Sequence, residues 1–143
     1  MRFNVIVISK LNLFRLSLLK KFKTLGFNVS TFSGIREPIQ RLNRLNPDVV
    51  IFDEDDAGQG WKTCISGLKR ARKKIIFILV VKDISINQAN EAVALGVSGI
   101  ILKPFDPEKD IKKILATINK KYSISPKRSS PRFFFWILPI SLR

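Results

Sequence analysis

Residues 48–53 read Asp48, Val49, Val50, Ile51, Phe52 and Asp53, an uninterrupted apolar run begun and ended by a carboxylate. A run of strand length with no polar alternation belongs to a strand buried on both faces, and such strands are found in parallel sheets covered by helices on either side. Working outward, the same kind of run recurs at Phe3 to Ile8, at Phe27 to Phe32, at Ile75 to Val81 and at Ser98 to Leu102. Between the runs the apolar spacing changes to that of a helix. Phe14, Leu18, Phe22 and Leu25 form one stripe, stopped by Gly26, and Ile35, Ile39, Leu42 and Leu45 a second, stopped by Asn46 and Pro47. Trp61, Ile65 and Leu68 mark a third helix that ends in a basic turn from Lys69 to Lys74. Ile86 to Leu95 is a fourth, closed by Gly96, and Pro107 to Lys121 a fifth, carrying Ile111, Ile114, Leu115 and Ile118.

Five strand–helix repeats joined by right-handed crossovers make a doubly wound α/β domain with a five-stranded parallel sheet. In such sheets the working crevice lies beyond the carboxyl ends of the strands. The residues there are Ser9 and Lys10, Asp53, Val80 and Val81 with Lys82, and Lys103 with Pro104.

Composition narrows the chemistry. The chain has 143 residues, no His and one Cys. It is long enough to bury a core without staples. An intramolecular disulfide is impossible, and Ser/His/Asp catalysis, Cys/His catalysis, histidine metal sites and thiol redox pairs are excluded by inventory. The expectation is a cytoplasmic regulatory protein that is not an enzyme and needs no cofactor. The first apolar run is too short for a signal peptide or a membrane span. The formal charge is +15, a field that favours anionic partners without specifying the fold. The basic turn at Lys69 to Lys74 lacks interleaved aromatics, so a solvated helix end is favoured over a nucleic-acid patch. Trp61 and the helically spaced Phe residues read as core, and Cys64 as a small apolar helix residue.

The stretches Pro47 to Asp53 and Gly96, Val97, Ser98, Gly99, Ile100, Ile101, Leu102, Lys103, Pro104, Phe105 resemble the receiver domain of bacterial response regulators, the CheY-like family with a flavodoxin-like fold, over roughly residues 2–121. The resemblance implies that Asp53 stands where the family accepts a phosphoryl group. It implies that Lys103, before a usually cis proline, pairs with the phosphoryl oxygens. It also implies signalling partners, a histidine kinase or an output protein, which read the surface around Ile86 to Leu95 and Pro107 to Lys121, and a homodimer is compatible with it. An acyl phosphate forms on a carboxylate only where cations neutralise the incoming charge. The family supplies Mg²⁺, held by an acidic pair after the first strand; here that pair is replaced by Ser9 and Lys10. A hydroxyl and an ammonium cannot replace two hard carboxylate ligands, and an inward Lys10 could itself pair with Asp53. Candidate metal ligands reduce to Asp53 with Asp55, or Asp56, from a loop that reads more readily as solvated or helix-capping. At the end of the fourth strand the family's hydroxyl residue is replaced by Val81, or by Val80 after a one-residue slip, so no side-chain hydrogen bond couples phosphorylation to a loop shift. The resemblance is therefore to a degenerate receiver in which Mg²⁺ is disfavoured.

Residues 122–132 read as a basic Ser/Pro linker, followed by an aromatic apolar tail over 133–143. Arg128 and Arg132, spaced by three residues and followed by an apolar run, resemble the opening of a PilZ domain, whose arginine pair binds cyclic di-GMP. On that resemblance the tail is the first strand of a truncated barrel. Basic residues beside aromatics also suit an anionic membrane surface.

Overall fold

The computed structural model describes residues 3–54, 60–71 and 74–122. Five strands, β1 (Asn4–Ile8), β2 (Asn28–Phe32), β3 (Val49–Glu54), β4 (Ile76–Val81) and β5 (Gly99–Leu102), form one sheet in the order β2-β1-β3-β4-β5. Every pairing is parallel. The helices are α1 (Asn12–Thr24), α2 (Arg36–Gln40), α3 (Leu42–Leu45), α4 (Gly60–Leu68), α5 (Ile86–Leu95) and α6 (Pro107–Tyr122).

The period of two along each strand divides the core into two clusters. Val5, Val7, Val49, Ile51, Ile76, Ile78, Val80 and Ile101 point to one face, where Leu18 and Phe22 of α1 and Ile111, Ile114 and Ile118 of α6 cover them. Ile6, Ile8, Val50, Phe52, Phe77, Leu79, Val81 and Ile100 point to the other, covered by Leu42 of α3, by Trp61, Cys64, Ile65 and Leu68 of α4, and by Ala89 and Ala92 of α5. This is the doubly wound sheet that the continuous apolar runs imply. Each fully buried large aliphatic or aromatic side chain in it contributes about 1.5–3 kcal/mol. Trp61 and Cys64 are buried core residues, as their spacing suggests.

One expectation needs correction. The stripe from Ile35 to Leu45 is two short helices rather than one, because Arg41 leaves the helical region at φ −108° and ψ 22° and the hydrogen-bond ladder restarts there. Pro38 sits in the first turn of α2, where its missing N–H has no helical partner to lose. The segment ends on Asn46 at φ 44°, which turns the chain into β3.

Helix ends are defined by local chemistry. Ser85 and Gln88 form a reciprocal capping box at the start of α5, and Gly96, at φ 111°, closes it. At the start of α6, Asp106 Oδ1 accepts from the amides of Glu108 and Lys109, while Asp110 Oδ2 accepts from the Asp106 amide at 2.7 Å. The return of each helix to the sheet is closed by backbone bonds at the amino ends of the strands, among them Asn28 N–H to Phe3 O, Asp48 N–H to Asn4 O and Ser98 N–H to Phe77 O.

Candidate functional site

Because the strands are parallel, their carboxyl ends share one edge of the sheet, and the period of two decides which side chains meet there. Ser9 lies two residues beyond Val7, Asp53 two beyond Ile51 and Lys103 two beyond Ile101, and those three apolar residues all belong to the α1/α6 face. The three polar side chains therefore converge on that face. Lys103 Nζ stands 2.5 Å from Asp53 Oδ1, and the Ser9 hydroxyl donates to Asp53 Oδ2 at 2.6 Å. The carboxylate side chain is 1% exposed and the lysine side chain 19%. Both carboxylate oxygens are thus held by groups of the chain itself, one by an ammonium and one by a hydroxyl. The Lys103–Pro104 peptide bond is cis.

Ser9 is itself fixed. Its Oγ accepts the Leu11 amide at 2.9 Å, and its carbonyl accepts the Arg15 guanidinium, whose other nitrogen bonds Asn12. The first turn of α1 is thereby tied to the end of β1, and the hydroxyl is aimed at Asp53 by its neighbours. Lys10 is exposed, and the cation against Asp53 is Lys103. The inward lysine considered from the sequence is corrected by strand parity, which turns Ser9 inward and carries Lys10 away.

At the end of β4, Val80 is the register partner of Asp53 and belongs to the same face, whereas Val81 is the partner of Glu54 and belongs to the opposite face. Neither side chain carries a donor. Glu54 follows Asp53 and leads, in sequence, into the acidic pair Asp55 and Asp56. It is the last residue of β3, is buried, and accepts the Trp61 amide at 3.2 Å near the start of α4. The signal for it was present in the strand pattern, since an extra residue of β3 falls on the α4 face and within reach of the helix amides.

The donor set does not fit a Mg²⁺ site of the family's kind. Mg²⁺ demands several hard oxygen ligands at octahedral geometry, and the described residues at this edge place against Asp53 one hydroxyl and one ammonium. Among the described residues there is no group of three or more Asp, Glu or Cys side chains placed to hold a metal. Asp55 and Asp56, the loop candidates, lie outside the described residues, as do Arg128, Arg132, the linker from residue 123 and the tail over 133–143. No helix among the described residues is long and apolar enough to cross a membrane.

The fold agrees with the comparisons. No curated protein matches the chain by sequence. Among solved structures, the chemotaxis protein CheY4 of Vibrio cholerae superposes with a TM-score of 0.71 at 20% identity, covering 82% of this chain and 99% of that one. A CheY-like receiver domain protein from Methanospirillum hungatei gives 0.71 at 15% identity, over 85% of this chain and 97% of that one. An orphan response regulator of H. pylori gives 0.72 at 16% identity, over 82% and 99%. At these identities the likeness establishes the fold. The response regulator receiver domain family matches residues 5–115, most of the chain and, Asn4 apart, all five strands, and on that match the chain belongs to the response regulator receiver domains of two-component signalling.

Proposed function

We propose that this receiver domain occupies residues 1–121 and is degenerate: it signals through contacts with protein partners, without the Mg²⁺-dependent phosphoryl cycle. The observation that carries the reading is the closure of Asp53, with Oδ1 on Lys103 and Oδ2 on Ser9. A phosphoryl group arriving at Asp53 has to displace one of these two partners, and among the described residues Lys103 is the cation paired with Asp53, with no second one against the carboxylate to offset the added charge. The valines at the end of β4 support the same reading, because a shape close to threonine without its hydroxyl has nothing to follow a phosphoryl oxygen with. By resemblance, the partner surface is the face built by α5, β5 and α6, and the partner is a kinase or an output protein.

Lys103 beside Asp53 is also what an active phosphoacceptor requires, so the competing reading is a domain that still takes a phosphoryl group at Asp53. One titration separates them. The amide signals of residues 52–54 and 103 are followed by NMR as Mg²⁺ and then beryllofluoride are added to the native chain and to a Ser9→Asp, Lys10→Asp variant. The expected result is silence in the native chain and a response in the variant, in which the acidic pair is restored. A native response that saturates with beryllofluoride overturns the proposal and establishes Asp53 as a working acceptor.

A further inference from the structure

The two outer strands of the sheet are finished differently. β5 is buried except for the half-buried Leu102, whereas β2 has no buried residue: Asn28 is exposed and Val29 to Phe32 are half-buried. In a parallel ladder the N–H and C=O of one residue point to the same side and those of the next residue to the other. Asn28 donates its N–H to Phe3 O, and the Phe32 carbonyl accepts the Ser9 N–H, so Asn28, Ser30 and Phe32 face β1. Val29 and Thr31 therefore turn their main-chain donors and acceptors to the outer side, where no described strand lies. Edge strands are ordinarily blunted by a proline, a charged side chain or a bulge. Asn28–Phe32 has neither proline nor charge, and its register with β1 runs unbroken from Asn28 to Phe32. A cleft of about 320 Å³ lies along the start of this edge, lined by Lys23, Gly26, Phe27, Asn28, Val29 and Ser30.

We propose that the outer edge of β2 takes an extended acidic segment of a partner protein as an added strand, with an acidic side chain of that segment on Lys23. The edge supplies the main-chain pairing through Val29 and Thr31, and the cleft beside it receives side chains of the added strand. Charge fixes the kind of partner. Among the residues that line the cleft, Lys23 carries the charge. The chain holds no acid before Glu37, while the exposed cations Lys20, Lys21 and Lys23 of α1 precede β2 and the exposed Arg36, at the start of α2, follows it. Glu37 is paired with Arg41, and Asp48, ahead of β3, is buried with its Oδ2 on the Asn4 amide. A second copy would satisfy the same main-chain groups, but pairing β2 with β2 brings the Lys23 and Arg36 ends of two copies together, between chains of formal charge +15. An acidic strand meets those cations instead. A single-stranded nucleic acid would meet the charge and leave the alternating donors and acceptors of Val29 and Thr31 uncompleted. Because β2 and β5 lie at opposite ends of the sheet, an occupant of this edge leaves the face of α5, β5 and α6 open.

The test titrates the full chain, isotope-labelled for NMR, with the capped peptide Glu-Glu-Thr-Val-Thr-Val-Thr-Glu-Glu. The expected result is binding that slows amide exchange at Val29 and Thr31, tighter by at least about 10-fold than that of the same peptide with Lys in place of Glu. Methylating two alternate main-chain nitrogens of the peptide keeps its side chains and removes two donors, which weakens binding by about 30-fold, since each bond is worth about 5-fold. Lys23→Gln weakens it by about 3-fold. Thr31→Pro deletes an outward N–H at a position where an edge strand accepts proline and, with native circular dichroism, weakens binding by at least about 5-fold. No binding, equal binding of the methylated peptide, tighter binding of the Lys peptide, or protection elsewhere than at Val29 and Thr31 overturns the proposal. So does protection of both amides before peptide is added: sedimentation equilibrium then assigns the edge to a second copy if the chain is a dimer and to the chain itself if it is a monomer.

Discussion

Replacing Lys103 by methionine removes the ammonium from Asp53 and keeps most of the stem's volume. At 2.5 Å and an effective dielectric constant near 20, the gross attraction is about 6–7 kcal/mol, and much of it is offset by the desolvation of both groups. The cost of breaking the pair depends on which partner is left behind. Without Lys103 a carboxylate with a 1% exposed side chain loses its counterion and keeps only the Ser9 hydroxyl. Stranding a buried charge costs about 3–5 kcal/mol, and the partial water access at the 19% exposed lysine position favours the lower end, about 3 kcal/mol. Asp53→Asn is milder. The amide still accepts from Ser9, and the lysine stem can turn its ammonium to solvent, so about 1 kcal/mol is lost. The double variant, Asp53→Asn with Lys103→Met, strands nothing and stays near the Asp53→Asn value, which gives a coupling of about 2–3 kcal/mol. Urea unfolding followed by circular dichroism reads all four proteins. With a slope of about 1.5 kcal/mol per molar, Lys103→Met lowers the midpoint by about 2 M and Asp53→Asn by about 0.7 M. If Asp53→Asn costs as much as Lys103→Met, or if the coupling is below about 0.5 kcal/mol, the asymmetry argued from exposure is refuted.

Three further outcomes are expected. Burial pushes the Cys64 thiol up to about 12, so Ellman's reagent at pH 8 should react with the folded protein far more slowly than with the urea-unfolded chain; comparable rates would place the thiol outside the core. Ser85→Ala removes the capping box of α5 and should cost about 1 kcal/mol, seen as a drop of about 4 °C in Tm. Gly96→Ala forces a side chain into φ 111° although the nearest atom to its Cβ, Ile65 Cδ1, is at an ordinary 3.7 Å; a loss above about 1 kcal/mol in urea unfolding is expected from backbone strain alone.

The layered architecture was legible because the signal behind it is redundant. Four or more apolar residues in a row at 49–52, 76–81 and 5–8 have one economical burial, between two helical layers, and strand ends expected from them fall within one residue of those observed. The break at Arg41 was not legible, because the apolar spacing from Ile35 to Leu45 is equally well satisfied by two short helices lying on the same face. At the candidate site, the meeting of Asp53 with Lys103 followed from topology and resemblance together. The choice between Ser9 and Lys10 hinged on strand parity at the last residue of β1, and the aligned motif positions alone leave that parity undecided. Glu54 illustrates the same point from the other side: in a run of acids, composition cannot tell the one that continues the strand and meets the helix amides from those that enter the loop.

The clasp around Asp53 has a consequence for what kind of signal such a domain can send. A receiver that alternates between two surfaces reports a change of state, and its number of copies matters little once enough are present. A domain whose carboxylate is occupied from within presents one surface at all times, so on the proposed reading the only variable left is how many copies the cell holds and where they are. Control then passes from chemistry at the strand end to synthesis, turnover and placement of the protein, and partners are titrated rather than switched. Mutations that weaken the clasp by a few kcal/mol would consequently act first as changes of dose, through the folded population.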